Sequence, residues 1–201
     1  MTATTGLNPV DRIEIWTLQD NYIEMTALDN TAVVTRATSL KDGEIKASIL
    51  AEHGFSALLK TTAGETTHTL FFDFGFSEDG AVKNAALLGL DLRDVEAAVL
   101  SHGHSDHTGA MKAFGAAIGK KDMPLVLHPS AFKAPRYLKF GESFKVYFPR
   151  FTREMVQEAG FHPVETEIPH SLLDGAFLVL GGIPRKTDFE TGWAIVHRLE
   201  E

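Results

Sequence analysis

Six consecutive residues, His102-Gly103-His104-Ser105-Asp106-His107, constrain this chain more than any other part of it. On an α-helix successive residues turn by about 100°, so His102 and His104 would lie on nearly opposite faces and never act together. The segment is therefore read as a loop. Ahead of it Ala97-Ala98-Val99-Leu100, entered through the turn-like Leu92-Arg93-Asp94, reads as a short buried strand. Behind it Met111, Phe114 and Ile118 recur at helical spacing, with Thr108 expected as the cap. A strand that delivers a ligand loop into a helix start is a rigid mount for a metal.

With one residue between them, His102 and His104 can turn to a common ion, since neutral imidazole nitrogen binds zinc at about 2.0–2.1 Å. Asp106 and His107 begin the next turn and are expected to point elsewhere, to a second ion about 3.5–4 Å from the first, as in two-metal hydrolytic sites. The competing reading is a surface loop of solvated histidines or a single structural ion. Structural zinc sites usually recruit cysteine, and this chain has none. The cofactor reading is thus two divalent ions, zinc first, with manganese or iron as alternatives. Asp106 takes the catalytic role, as ligand and as the group that orients a nucleophilic water.

The rest of the chain reads as α/β without repeats. Strands are expected at 12–16, at 48–51 continuing to 55–59 across a break at Gly54, at 69–73, at 124–128 and at 176–180. Helices are expected at 81–88, ending at Gly89, and at 153–159, stopped by Gly160. The polar stretch from 19 to 46 reads as a long loop. Alternation of strand and helix up to about residue 128 favours a layered fold over a barrel or a bundle.

The motif at 102–107 resembles the signature of the metallo-β-lactamase-fold superfamily, His-x-His-x-Asp-His at a strand-to-helix junction. Thr69-Leu70-Phe71-Phe72-Asp73-Phe74-Gly75 is similar to that superfamily's strand ending in Asp-x-Gly. Glu52-His53-Gly54-Phe55-Ser56, His128-Pro129 and Gly182-Ile183-Pro184-Arg185 with Phe189-Glu190 resemble the subgroup related to dihydropterin ribofuranosyl-aminobenzene phosphate synthase. The resemblance runs from about residue 13 to about 192. It implies an αββα sandwich and a metal-dependent hydrolase, or related transferase, acting on a small anionic substrate that contains phosphate or a pterin.

Family members complete each ion with later residues: a further His, a bridging Asp and a late His. Those contexts are absent here, so the 201 residues are read as the N-terminal part of the architecture, one domain truncated on its C-terminal side. Two consequences stay open. The chain acts as a hydrolase, or it is a non-catalytic metal-binding remnant or half-enzyme that needs a complementing C-terminal polypeptide or a second copy of itself, because a layer fold does not leave an apolar face in water.

Between 133 and 153 six basic residues, Lys133, Arg136, Lys139, Lys145, Arg150 and Arg153, face the single acid Glu142, interleaved with Tyr137, Phe140, Phe144, Tyr147, Phe148 and Phe151. Cations beside π-faces suit a planar anion; an oligomer interface uses the same residue types. The resemblance places a lid-like insertion at 129–160, which favours substrate contact by Lys133, Arg136 and Lys139. Among lesser candidates, Asp73 is read as supporting the ligand loop from behind, and Glu52 and His53 as either supporting the ligands or forming a core pair. His128 is expected to line the site, and Arg185 either binds an anion or caps a turn. His68, His162 and His197 are read as surface residues. A net charge of −8 argues against general nucleic-acid affinity. With no apolar run long enough to cross a bilayer and no basic, apolar leader at the N-terminus, the expectation is a cytoplasmic protein.

Overall fold

In the computed structural model the described residues are 6–24, 26–27, 29–45, 48–140, 142–190 and 196–198. Six strands form one sheet, in the order β1 (Arg12–Gln19), β4 (Ser56–Ala63), β5 (Thr66–Phe72), β6 (Ala97–Leu100), β7 (Met123–Leu127), β10 (Phe161–Glu165). The first three are antiparallel neighbours and the last three pairings are parallel. The hairpin between β4 and β5 turns at Gly64, whose φ of +58° suits a two-residue loop with glycine in first place. The parallel strands are linked by crossovers containing the helices α1 (Gly80–Leu87), α2 (Met111–Ile118) and α3 (Arg153–Glu158). Every residue of β6 is buried, as expected of a central parallel strand covered on both faces.

The helices cover one face of the sheet. Phe71, Ala98, Leu100, Leu125 and Leu127 pack there against Ala85, Met111, Phe114, Ile118 and Val156. Phe71 and Phe114 lie 4.1 Å apart between ring centres, and Phe74 meets Phe161 edge-on at 5.5 Å. The opposite face carries Leu70, Val99 and Val126, covered by Leu172, Leu173, Phe177 and Val179 of the hairpin formed by β11 (His170–Leu172) and β12 (Phe177–Val179). That hairpin does not reach the β1 edge, where Ile13 and Ile15 remain 60% and 62% exposed. Two minor units complete the fold: β2 (Leu40–Lys41) with β3 (Glu44–Ile45), and a three-stranded sheet of β8 (Arg136–Phe140), β9 (Phe144–Tyr147) and β13 (Val196–Arg198), with β8 in the middle.

Four expectations change. Residues 48–51 form no strand. The N–H and C=O of Leu50 are instead taken by the side chain of Asn84 on α1, which also donates to Leu18 C=O at 2.7 Å. Asn84, fully buried, therefore ties helix, edge strand and long loop together. Replacing Asn84 by Ala leaves three backbone groups unpaired and should lower unfolding stability by about 2–4 kcal/mol; a denaturant midpoint equal to wild type would contradict this. Thr108 does not cap α2, because the helix starts two residues later, behind Ala110, and its entry is held from outside: Gly109 and Ala110 donate to Gly75 and Phe74 carbonyls. Strand β10 was hidden by His162 and Pro163, which interrupt its apolar pattern; proline is tolerated because β10 is an edge strand. Finally, Phe151, Val156 and Ala159 belong to the core, whereas Phe140, Phe144, Val146 and Tyr147 of the β8–β9 hairpin stand exposed.

Candidate metal centre

The ligand loop leaves β6, makes a 3-10 turn at Ser105–His107 and enters α2. Its shape is imposed by strand ends on either side. Phe74 N–H donates to His107 C=O at 2.8 Å, Phe55 N–H to Asp106 C=O at 3.3 Å, and Gly109 N–H to Gly75 C=O at 2.8 Å. Glycine is needed at Gly54, where φ is +110° and a Cβ would stand 2.1 Å from Asp106 O. Turn, strand ends and the phenylalanine cluster beneath them form one rigid seat.

On that seat single donor atoms of His102, His104 and Asp106 all lie within 4.8 Å of one another. Two atoms each bound at about 2.1 Å to one ion lie at most about 4.2 Å apart, so a small inward rotation closes the set. Asp106 does not point away from the histidine pair as the sequence suggested, because the 3-10 turn folds it back. Its carboxylate also stands 3.4 Å from His107 Nε2 and 3.3 Å from the exposed His53 Nε2. The rings of His102 and His107 are 4.2 Å apart, so all four motif side chains share one pocket of space.

Asp73 organises this group from below. Fully enclosed at the end of β5, with φ +56°, it accepts from Ser101 N–H at 2.7 Å, from Ser101 Oγ at 2.6 Å and from His107 Nδ1 at 2.7 Å. A His107 that donates from Nδ1 has its Nε2 lone pair turned to the Asp106 carboxylate. Two electron-rich atoms facing each other require a cation between them or a proton on the ring, and this donor set fits a divalent metal. Burial lowers the His107 pKa, but the hydrogen bond and charge of Asp73 and the charge of Asp106 outweigh it, so the net shift is upward. His102 is exposed on its outer side; crowding of its inner side first, then the His107 and His104 rings, push it down to about 4. His104 is lowered by partial burial first and then by the Arg136 cation. Both shifts favour the neutral ring, the form that ligates.

A cleft of about 200 Å³ opens beside these rings, lined by His102, His104, His128, Ser130 and Arg136 among others. His128 Nδ1 accepts from Ser130 N–H at 3.1 Å, so its Nε2 carries the proton: it is a donor at the cleft wall rather than a ligand. It also borders a second cavity of about 320 Å³, with Lys133, Phe132, Arg153 and Glu167. Lys139 lies further out on β8 and borders neither cavity. Glu52 accepts from Gln19 Nε2 at 3.0 Å. Arg185 is exposed. His68 is not simply on the surface, being largely covered and 3.1 Å from Glu96; the His197 side chain lies outside the described ones. Sequence reasoning missed Ser101, which carries no motif and ties the loop to Asp73. It also missed the stacking of Phe148 on His104, at 4.9 Å between ring centres and 5° between planes.

Residues 54–187 match the metallo-beta-lactamase superfamily profile. The chain belongs to that superfamily. It is 25% identical over 192 residues to the 7,8-dihydropterin-6-methyl-4-(beta-D-ribofuranosyl)-aminobenzene-5'-phosphate synthase of Methanocaldococcus jannaschii, a match covering 92% of this chain and 56% of that protein. The chain thus spans about half the length of this curated relative. Among solved structures, the metallo-beta-lactamase fold protein YhfI from Bacillus subtilis aligns over 80% of this chain and 48% of its own, with 14% identity and a TM-score of 0.41. The Rm3 metallo-beta-lactamase aligns over 41% of this chain and 29% of its own, with 25% identity and a TM-score of 0.32. Among the described residues no helix is long and apolar enough to cross a membrane.

Proposed function

We propose that this superfamily member is a metal-dependent hydrolase or group transferase in which His102, His104, Asp106 and His107 hold one or two divalent cations, zinc first among them, against a small anionic substrate. The observation that carries the reading is the convergence of the His102, His104 and Asp106 donors over a buried Asp73 that fixes the loop behind them. A cation held there would supply charge to polarise a carbonyl or phosphoryl oxygen and to acidify a water. Asp106 orients that water, His128 offers Nε2–H to a substrate oxygen, and Lys133 supplies positive charge at the neighbouring cavity. The name of the Methanocaldococcus jannaschii relative contains a phosphate ester and aromatic rings. A ligand of that class suits the Lys133 cation and the aromatic side chains around it.

A second reading, that these residues work only with a complementing polypeptide or a second copy, is supported by Ile13 and Ile15, left uncovered on a sheet face whose other half is packed. One experiment separates the two. The purified chain is loaded with zinc or manganese, its metal content is measured beside His102→Ala with His104→Ala, and turnover of phosphodiesters, lactones and pterin phosphates is compared with Asp106→Ala. The double variant should lose metal; unchanged content overturns the metal centre. Turnover abolished by Asp106→Ala supports the complete enzyme, whereas metal binding without turnover supports the half-enzyme.

A further inference from the structure

The basic, aromatic hairpin meets the ligand loop at its base. Arg136 opens β8 and Phe148 follows β9, and the Phe148 N–H donates to Arg136 C=O at 3.0 Å, so the two residues sit side by side. From there the Arg136 guanidinium donates to Ser130 C=O at 2.8 Å, to Ala131 C=O at 2.6 Å and to Gly103 C=O. Gly103 is the spacer between His102 and His104. Its backbone is pressed against the same layer, since a Cβ there would stand 2.2 Å from Ala131 O. The Phe148 ring lies flat on the imidazole of His104. Spacer and second imidazole are therefore gripped from one point.

Three carbonyl oxygens that converge on one spot repel unless a cation with several donors stands among them. A planar guanidinium, with five N–H groups in a fixed fork, meets that need; a lysine ammonium on a flexible stem does not reproduce it. Donors turned to backbone carbonyls are not turned to a substrate anion. Three of the guanidinium's N–H groups are thus committed to the backbone.

Resting on the metal-binding reading above, we propose that Arg136 and Phe148 are positioning residues of the metal centre: together they hold the Gly103–His104 peptide so that the His104 imidazole meets His102 and Asp106. The clamp also joins the exposed hairpin mechanically to a ligand. The test is titration with Co(II), following the visible absorption bands of the bound ion and its affinity against a chelator, together with thermal melting of the metal-free protein. Arg136→Lys and Arg136→Gln should both weaken Co(II) binding by about tenfold or more and alter the bands. Millimolar methylguanidinium should restore part of the affinity of Arg136→Ala. If the arginine variants do not fold, Phe148 decides: Phe148→Tyr should keep wild-type bands and Phe148→Leu should not. Wild-type affinity and bands in Arg136→Lys, or in Phe148→Leu, overturn the clamp while leaving the metal centre standing. A wild-type chain that takes up no Co(II) overturns the metal reading itself.

Discussion

Replacing Asp73 by Ala should cost about 3–5 kcal/mol of folding stability, and replacing it by Asn should cost far less while damaging metal binding more specifically. The alanine loses the acceptors for Ser101 N–H, Ser101 Oγ and His107 Nδ1, each left facing a cavity where a carboxylate stood. Each lost bond costs about 1 kcal/mol, since Ser101 is exposed and its groups can turn to water, and an alanine at φ +56° adds about 1 kcal/mol of backbone strain. For a domain of this size that lowers the melting temperature by about 8–15 °C. Asparagine tolerates the left-handed backbone and fills the same volume. Its Oδ1 still accepts from Ser101 N–H, and its amide donates to Ser101 Oγ and to the ring. That donation turns His107 Nδ1 into an acceptor, so the proton moves to Nε2, where a ligand needs a lone pair. Metal affinity should fall about 10–100-fold with a stability change near 1 kcal/mol. Wild-type affinity in Asp73→Asn, read by chelator competition, would remove Asp73 from the centre.

The hexapeptide was legible because all its information is local. Spacing alone excluded a helix, and the flanking Ala97–Leu100 and Met111–Ile118 carry the two periods that mark strand and helix. The strand ending in Asp73 was legible for the same reason. What failed was whatever depends on a partner distant in the chain. Residues 48–51 have the apolar composition of a strand, yet the hydrogen-bonding partner waiting for Leu50 is the Asn84 side chain on α1, not a neighbouring strand. Arg136 lies in a basic, aromatic stretch that resembles an anion site, but the carbonyls of Gly103, Ser130 and Ala131 have no residue signature, because every residue carries one. Phe148 was one of several aromatics until the fold brought a single imidazole under its ring. The orientation of Asp106 differs because a new turn was expected to carry it away from the histidine pair, where the tight 3-10 turn at Ser105–His107 folds it back.

The same division between local and distant information governs the glycines. Gly109 has no unusual φ, so nothing in its own backbone demands glycine; the demand comes from across the fold. A Cβ there would stand 1.8 Å from Phe76 O, 2.4 Å from its carbonyl carbon and 3.0 Å from Gly75 O, all main-chain atoms without side-chain freedom to yield. Relief requires the 108–110 segment to move off the 74–76 strand end. That breaks the bonds from Gly109 to Gly75 at 2.8 Å and from Ala110 to Phe74 at 3.1 Å, and loosens the Phe74–His107 bond that seats the ligand turn. Overpacking of about 1–3 kcal/mol and about 1 kcal/mol for each lost bond put Gly109→Ala near 3–5 kcal/mol. Gly119 is the instructive control. It closes α2 at φ +69° with open space around it, so Gly119→Ala meets no neighbour and should cost only the left-handed strain, about 1–2 kcal/mol. Backbone conformation would rank Gly119 as the more sensitive position; contact geometry ranks Gly109. Denaturant unfolding of both variants decides, and Gly109→Ala should also bind metal more weakly, because the turn it displaces carries Asp106 and His107. A Gly109→Ala protein as stable as Gly119→Ala would show that strand end and ligand loop are not locked together.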